Sequence, residues 1–187
     1  MALSPRRPLS EAAAWLEPYR RFGEEQFNSL ETYLREQEHP WMIPPDDPTA
    51  IVLRRTFLVP RSRVFRAWIE PAAIAQWFRP GGIPVLVRTL DARVGGTFHF
   101  EMADGGSIVG TYQVIIPPDK LVFTWLSDAI PGMESRITVD FLDQGAGTEV
   151  VLTHTGLVTP AARALMGKGG PTLLDSLTEF LASAADS

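Results

Sequence analysis

Three histidines, no cysteine and a cluster of large aromatic side chains are what this chain offers for chemistry. His154 closes the alternating run Thr148–Thr155, in phase with Val150 and Leu152. If those residues face inward, so does its imidazole. A neutral imidazole at a cavity mouth binds a ligand oxygen or takes a proton as a general base. The plainer alternative is a core histidine hydrogen-bonded to backbone. His99 alternates against Phe98 and Phe100 and is expected on the outer sheet face. His39 precedes Pro40 at a helix end, where a cation favours the helix dipole. Three scattered histidines without paired spacing do not make a metal site, and the lack of Cys removes disulfides, thiolate zinc ligands and Cys nucleophiles. Neither a metal nor a cofactor is expected.

The carboxylates and glycines add little. Glu101 shares the outward face of His99, and Glu134 opens a strand beside Met133 near a cavity entrance. No second acid pairs with either by spacing, so two-carboxylate glycoside chemistry is not supported. Arg136 and Asp140 read as a solvated pair on one strand face. Gly81-Gly82 and Gly95-Gly96 precede strands, while Gly167, Gly169 and Gly170 lie in a helix without the phosphate-loop pattern. Turns and close backbone approach explain them better. The aromatics are ambiguous: Trp68, Trp77, Phe78, Phe98, Phe100, Tyr112, Phe123 and Trp125 either fill a core or line a pocket.

The elements that must position these residues follow from periodicity. Residues 51–59 alternate as a strand. Pro60-Arg61-Ser62 opens a short helix holding Val64, Phe65 and Trp68, and Pro71 opens a second that ends at Trp77-Phe78. Strands are expected at 84–91, 96–103, 106–116, 120–127, 134–143 and 147–155, separated by Gly, Pro and Asp turns. Thr159-Pro160 caps a last helix, which Gly167-Lys168-Gly169-Gly170-Pro171 interrupts before Leu173, Leu174, Leu177, Phe180 and Leu181 resume its stripe. Strand, two short helices, six strands in hairpin order and a long helix make an α+β layout, a bent antiparallel sheet around a terminal helix.

Residues 1–48 differ in character. They carry five Arg against nine acids, while the remaining residues carry twelve Lys plus Arg against thirteen acids. Residues 1–9 are rich in Pro and Arg and expected to be unstructured. From Pro18 to about Gln37 an apolar stripe recurs at helical spacing over about 30 Å, and Met42–Pro48 reads as a stiff linker. The domain division is therefore 1–48, a helical arm and Pro-rich linker, and 49–187. A net charge of −5 speaks against nonspecific nucleic-acid binding. No apolar run approaches 18 residues, so no membrane partner is expected, and the opening residues lack the long apolar stretch of a signal peptide. With zero Cys, this fits a cytoplasmic location.

From about Ile51 to Leu181 the chain resembles the START-like, or SRPBCC, superfamily, and within it the branch named after the activator of the Hsp90 ATPase. The resemblance rests on Arg55-Thr56-Phe57, Val59-Pro60-Arg61, Val64 to Trp68, Trp77-Phe78, Pro80-Gly81-Gly82, Asp91 to Gly96, Gly110-Thr111-Tyr112, Pro118 to Trp125 and Leu152 to Leu157. It implies a helix-grip (Bet v-like) fold with an apolar cavity between sheet and terminal helix. One departure is that Gly170 precedes Pro171 where the family usually has Gly-Trp; the missing indole is expected to enlarge the cavity, or Pro171 to kink the helix. Residues 8–36 resemble the C-terminal dimerisation segment of ArsR-type repressors, with Gly23 where that pattern often has Trp. The helix-turn-helix itself is missing, so DNA binding is not implied.

The leading expectation is a domain that binds a small apolar or aromatic ligand through Trp68, Trp77, Phe78, Phe98, Phe100, Tyr112, Trp125 and His154, with Met166 from the terminal helix. A second is an interaction or chaperone-accessory module, pairing with its own copy or an ArsR-type partner through Trp15, Tyr19, Phe22, Phe27, Leu30 and Leu34. A third is a cyclase or hydrolase using His154 as base. No convincing second catalytic group accompanies it, so the balance leans away from an enzyme.

Overall fold

The structure, a computed structural model, describes residues 47–183. The arm residues Trp15, Tyr19, Phe22, Phe27, Leu30 and Leu34 lie outside the described residues. The element order is β1 (Ile51–Phe57), α1 (Arg61–Ala67), α2 (Pro71–Trp77), a short 3-10 turn (Pro80–Gly82), β2 (Val85–Leu90), β3 (Thr97–Met102), β4 (Ser107–Ile116), β5 (Lys120–Ser127), β6 (Glu134–Asp143), β7 (Thr148–Thr155) and α3 (Pro160–Ser183). Each predicted strand forms, within two residues of its expected ends.

The seven strands make one antiparallel sheet in the order β1-β7-β6-β5-β4-β3-β2. Consecutive strands from β2 to β7 pair as hairpin neighbours, because short turns leave an antiparallel partner as the nearest one. β1 closes the far side against β7, with Ile51 opposite His154 and Leu53 opposite Leu152. Register shifts between Val87 and Thr89 on β2 and between Tyr112 and Val114 on β4 mark irregular pairing. Such bulges bend a strand and increase its twist.

Alternation decides what faces α3. On β5 the buried series is Leu121, Phe123, Trp125 and Ser127; on β6 it is Ser135, Ile137, Val139 and Phe141; on β7 it is Thr148, Val150, Leu152 and His154. These residues share the inner face. Gly110 on β4 serves the same face differently. It sits opposite Phe98 in the β3–β4 register, and a Cβ there would overlap the Phe98 ring and the Thr124 carbonyl oxygen. The absence of a side chain is what lets Phe98 lie flat across the sheet.

Helix α3 starts as expected, with the Ala162 amide donating to Thr159 Oγ1 at 3.1 Å. It then runs unbroken through Gly167–Pro171, where the sequence suggests an interruption. Pro171 removes one amide donor, and its ring approaches the carbonyl of residue 167. The turns on either side are anchored on the domain and hold the helix through that point. Leu174, Leu177 and Leu181, spaced by three and four, are each at most 2% exposed and contribute roughly 2 kcal/mol apiece by apolar burial. Arg55 on β1 reaches Asp175 at 2.6 Å, and Arg63 on α1 donates to the Leu181 carbonyl at 2.9 Å.

Replacing Gly110 by Ala is expected to lower stability by about 2 kcal/mol, because a backbone carbonyl cannot move aside. Urea unfolding measures this. A change within about 0.5 kcal/mol of the parent would show that Phe98 does not depend on the missing side chain.

Candidate ligand cavity

One cavity of about 290 Å³ lies between the sheet and α3. Its floor is the inner face of the sheet: Phe98 and Phe100 from β3, Tyr112 from β4, Trp125 from β5, Ile137 from β6, and Leu152 with His154 from β7. Ile51 and Leu53 of β1 form one flank. Trp68, Ile74, Phe78 and the Pro80-Gly81 turn form the other. The roof is α3, which contributes Leu165, Met166, Gly169, Gly170 and Leu173.

The roof explains why space remains. Leu165, Met166, Gly169, Gly170 and Leu173 recur at three and four, so they form one stripe along the helix. Two of the five positions have no side chain. A Cβ on Gly169 would meet nothing within 4 Å, while one on Gly170 would run into the Leu53 methyl. Gly169 therefore leaves volume, and Gly170 allows α3 to approach β1. Position 171 does neither: Pro171 is exposed and does not line the cavity. The residue at 171 therefore does not set the cavity's volume, and on this stripe it is Gly169 that leaves space.

Eight of the nine residues singled out for ligand contact line this cavity: Trp68, Phe78, Phe98, Phe100, Tyr112, Trp125, His154 and Met166. Trp77 does not. Its ring packs 5.0 Å from Trp68 and 5.5 Å from Phe78, and its indole N–H donates to the Ala67 carbonyl at 2.8 Å. Trp77 therefore buttresses two wall residues from behind. Ile51, Leu53, Ile74, Leu152, Gly169 and Gly170 escape a reading that searches for aromatics. Leu152 was accessible through its phase with His154, whereas the β1 pair requires knowing that β1 lies against β7.

The wall contains few polar groups, and several lack partners. The indole N–H groups of Trp68 and Trp125 are buried and have no acceptor among the described residues. Leaving such a donor unpaired costs on the order of 1–3 kcal/mol. The Tyr112 hydroxyl forms no hydrogen bond among the described residues, and burial pushes its pKa well above the usual phenol value. Among the described residues no Lys or Arg lines the cavity, and Asp104, in the β3–β4 turn, is the one carboxylate that does.

His154 is 3% exposed, with Nε2 2.7 Å from Ser135 Oγ, which lies 3.1 Å from the Trp125 carbonyl oxygen. A serine hydroxyl has one hydrogen. Both contacts are satisfied when Ser135 donates to the carbonyl and His154 Nε2–H donates to Ser135. That arrangement leaves Nδ1 as an acceptor. Burial lowers the imidazole pKa to about 4, so the ring is neutral at pH 7. Ser135 does not line the cavity, so this pair does not present a nucleophile to a bound molecule. His99 contacts Ser107 Oγ at 3.1 Å, Glu101 pairs with Arg88 at 2.6 Å, and Asp140 pairs with Lys120 at 3.0 Å across the β5–β6 register. Among the described residues no group of His, Asp and Glu is placed to hold a metal ion, and no helix is long and apolar enough to cross a membrane.

Sheet, terminal helix and the cavity between them define a START-like helix-grip domain. The sequence model for activator of Hsp90 ATPase homolog 1-like proteins matches residues 58–182, and the chain belongs to that family. Among solved structures, the chain is similar to protein CV1439 from Chromobacterium violaceum, at 27% identity and a TM-score of 0.61, over 71% of this chain and 96% of that one. CalU16 from Micromonospora echinospora is similar at 26% identity and a TM-score of 0.56, over 70% and 74%. A Rhodobacter sphaeroides protein at 23% identity shares the fold, with a TM-score of 0.64 over 76% and 97%. A search of curated proteins finds no match.

The His154 environment carries a pH prediction. Its pKa falls from about 6.5 unfolded to about 4 folded, so between these values the unfolded chain binds the extra proton. The His154 contribution is fully present above pH 6.5 and is lost as pH falls toward 4, by about 3 kcal/mol. Urea midpoints between pH 7 and 4, for the parent and His154→Gln, isolate this share. Equal slopes in the two proteins would contradict it.

Proposed function

We propose that this domain binds a small apolar or aromatic molecule in the cavity between the sheet and α3. The observation that carries this reading is the cavity itself: about 290 Å³, walled by Phe, Trp, Ile, Leu and Met side chains, in a fold whose sheet and helix surround it. Ligand sites are typically concave and mostly apolar, with a few placed polar groups. Tyr112, His154 and the two indole N–H groups are among those few, with Asp104 and Ser127. The family description names an activator of the Hsp90 ATPase. Ligand binding is preferred because it uses features found in this chain, whereas chaperone activation would rest on the family description alone.

N-phenyl-1-naphthylamine, a neutral dye that brightens in apolar surroundings, provides the test. It is expected to bind one per chain, and Met166→Trp, which places an indole beneath the roof, is expected to weaken binding at least tenfold. An unchanged dye signal in that variant, with its fold intact by circular dichroism, would remove the cavity as the binding site.

A further inference from the structure

The unpartnered donors in the cavity wall constrain the ligand further, on the premise that the cavity is a binding site. Trp68 and Trp125 are 5% and 7% exposed, and their indole N–H groups have no acceptor among the described residues. They come from different elements, the C-terminal end of α1 and the middle of β5, yet both line the same cavity. Trp77, close by, shows the alternative: its N–H is bonded to the Ala67 carbonyl. Among the described residues the indoles of Trp68 and Trp125 make ring contacts but no hydrogen bond. Trp68 packs edge-on to Phe141 at 6.2 Å, and Trp125 lies 6.0 Å from Phe78 and 6.2 Å from His154. A ring face is at best a weak acceptor. The Tyr112 hydroxyl adds a third donor without a protein partner among the described residues.

Charge narrows the choice. Among the described residues no Lys or Arg lines the cavity, and His154 is neutral at pH 7, so a carboxylate or phosphate brought inside would lack a counter-charge from them. Asp104 at the turn would repel such a group. An oxygen without charge, a ketone, quinone, ester or ether, satisfies a buried N–H without needing a cation.

We propose that the cavity takes a neutral, rigid ring system bearing a carbonyl or similar acceptor oxygen, which accepts a hydrogen bond from Trp68 or Trp125. Discrimination follows from the asymmetry of polar burial. A hydrocarbon of the same shape fills the space but leaves both donors unpaired, whereas a ketone pairs one of them.

Fluorenone and fluorene differ by one carbonyl oxygen on a nearly identical frame, and 9-fluorenecarboxylate supplies the anion. Fluorenone is expected to bind about tenfold more tightly than fluorene, and the anion at least tenfold more weakly than fluorenone. Amide and indole NMR spectra should show the Trp68 or Trp125 N–H resonance moving downfield with fluorenone but not with fluorene. Trp68→Phe or Trp125→Phe keeps an aromatic ring and removes the donor, so one of the two should abolish the ketone preference. Fluorene binding in the same variant reports that the fold and cavity persist. If the dye binds but fluorene matches fluorenone within twofold, or both variants keep the preference, or the anion binds best, the acceptor assignment falls and the cavity reading stands. If neither the dye nor any fluorene probe binds, both fall.

Discussion

A concave sheet facing a single long helix bounds a volume that only large side chains can fill, and here the helix withholds them where it crosses the cavity. The rest of the site depends on that constraint. Leu174, Leu177 and Leu181 bury the C-terminal half of α3 against the domain, with the Arg55–Asp175 pair fixing its position. Over the cavity the same helix presents Gly169 and Gly170 between Met166 and Leu173. Close packing is the rule in protein interiors, and a void of this size forfeits contacts that a larger side chain would have made. The domain carries that cost where its binding surface would be.

The polar groups follow the same logic. Trp77 and Ser135 have partners and lie behind the wall; the Trp68 and Trp125 indole N–H groups, which form it, have no acceptor among the described residues. His154 is tied at Nε2 to Ser135, which holds the ring in place and fixes which nitrogen carries the proton. The result is a cavity that is apolar by area, supplies donors at particular points and has no cationic side chain among the described residues that line it. Such a surface discriminates by shape and by the position of an uncharged oxygen.

Much of this architecture was legible in the residues. Alternation in Thr148–Thr155 placed His154 inward, and the turn residues bounded all seven strands closely. The errors have a common physical origin. Gly167 to Pro171 reads locally as a helix break, but the flanking turns pack firmly enough to override a weak propensity. Trp77 resembles Trp68 in its local sequence. Only the Ala67 carbonyl, brought to its indole by the turn between α1 and α2, separates a buttress from a wall residue. The importance of Gly169 was hidden for a similar reason: an absent side chain acquires meaning only when the opposing surface is known.

The central claim is that the space under Gly169 and Gly170 is real, apolar and accessible. A crystal of the protein pressurised with xenon tests it directly, because xenon enters apolar cavities without needing a polar partner. The account predicts an ordered xenon atom between the helix at Gly169 and the rings of Phe98, Phe100 and Trp125. Side chains occupying that space, with no xenon bound there, would contradict it.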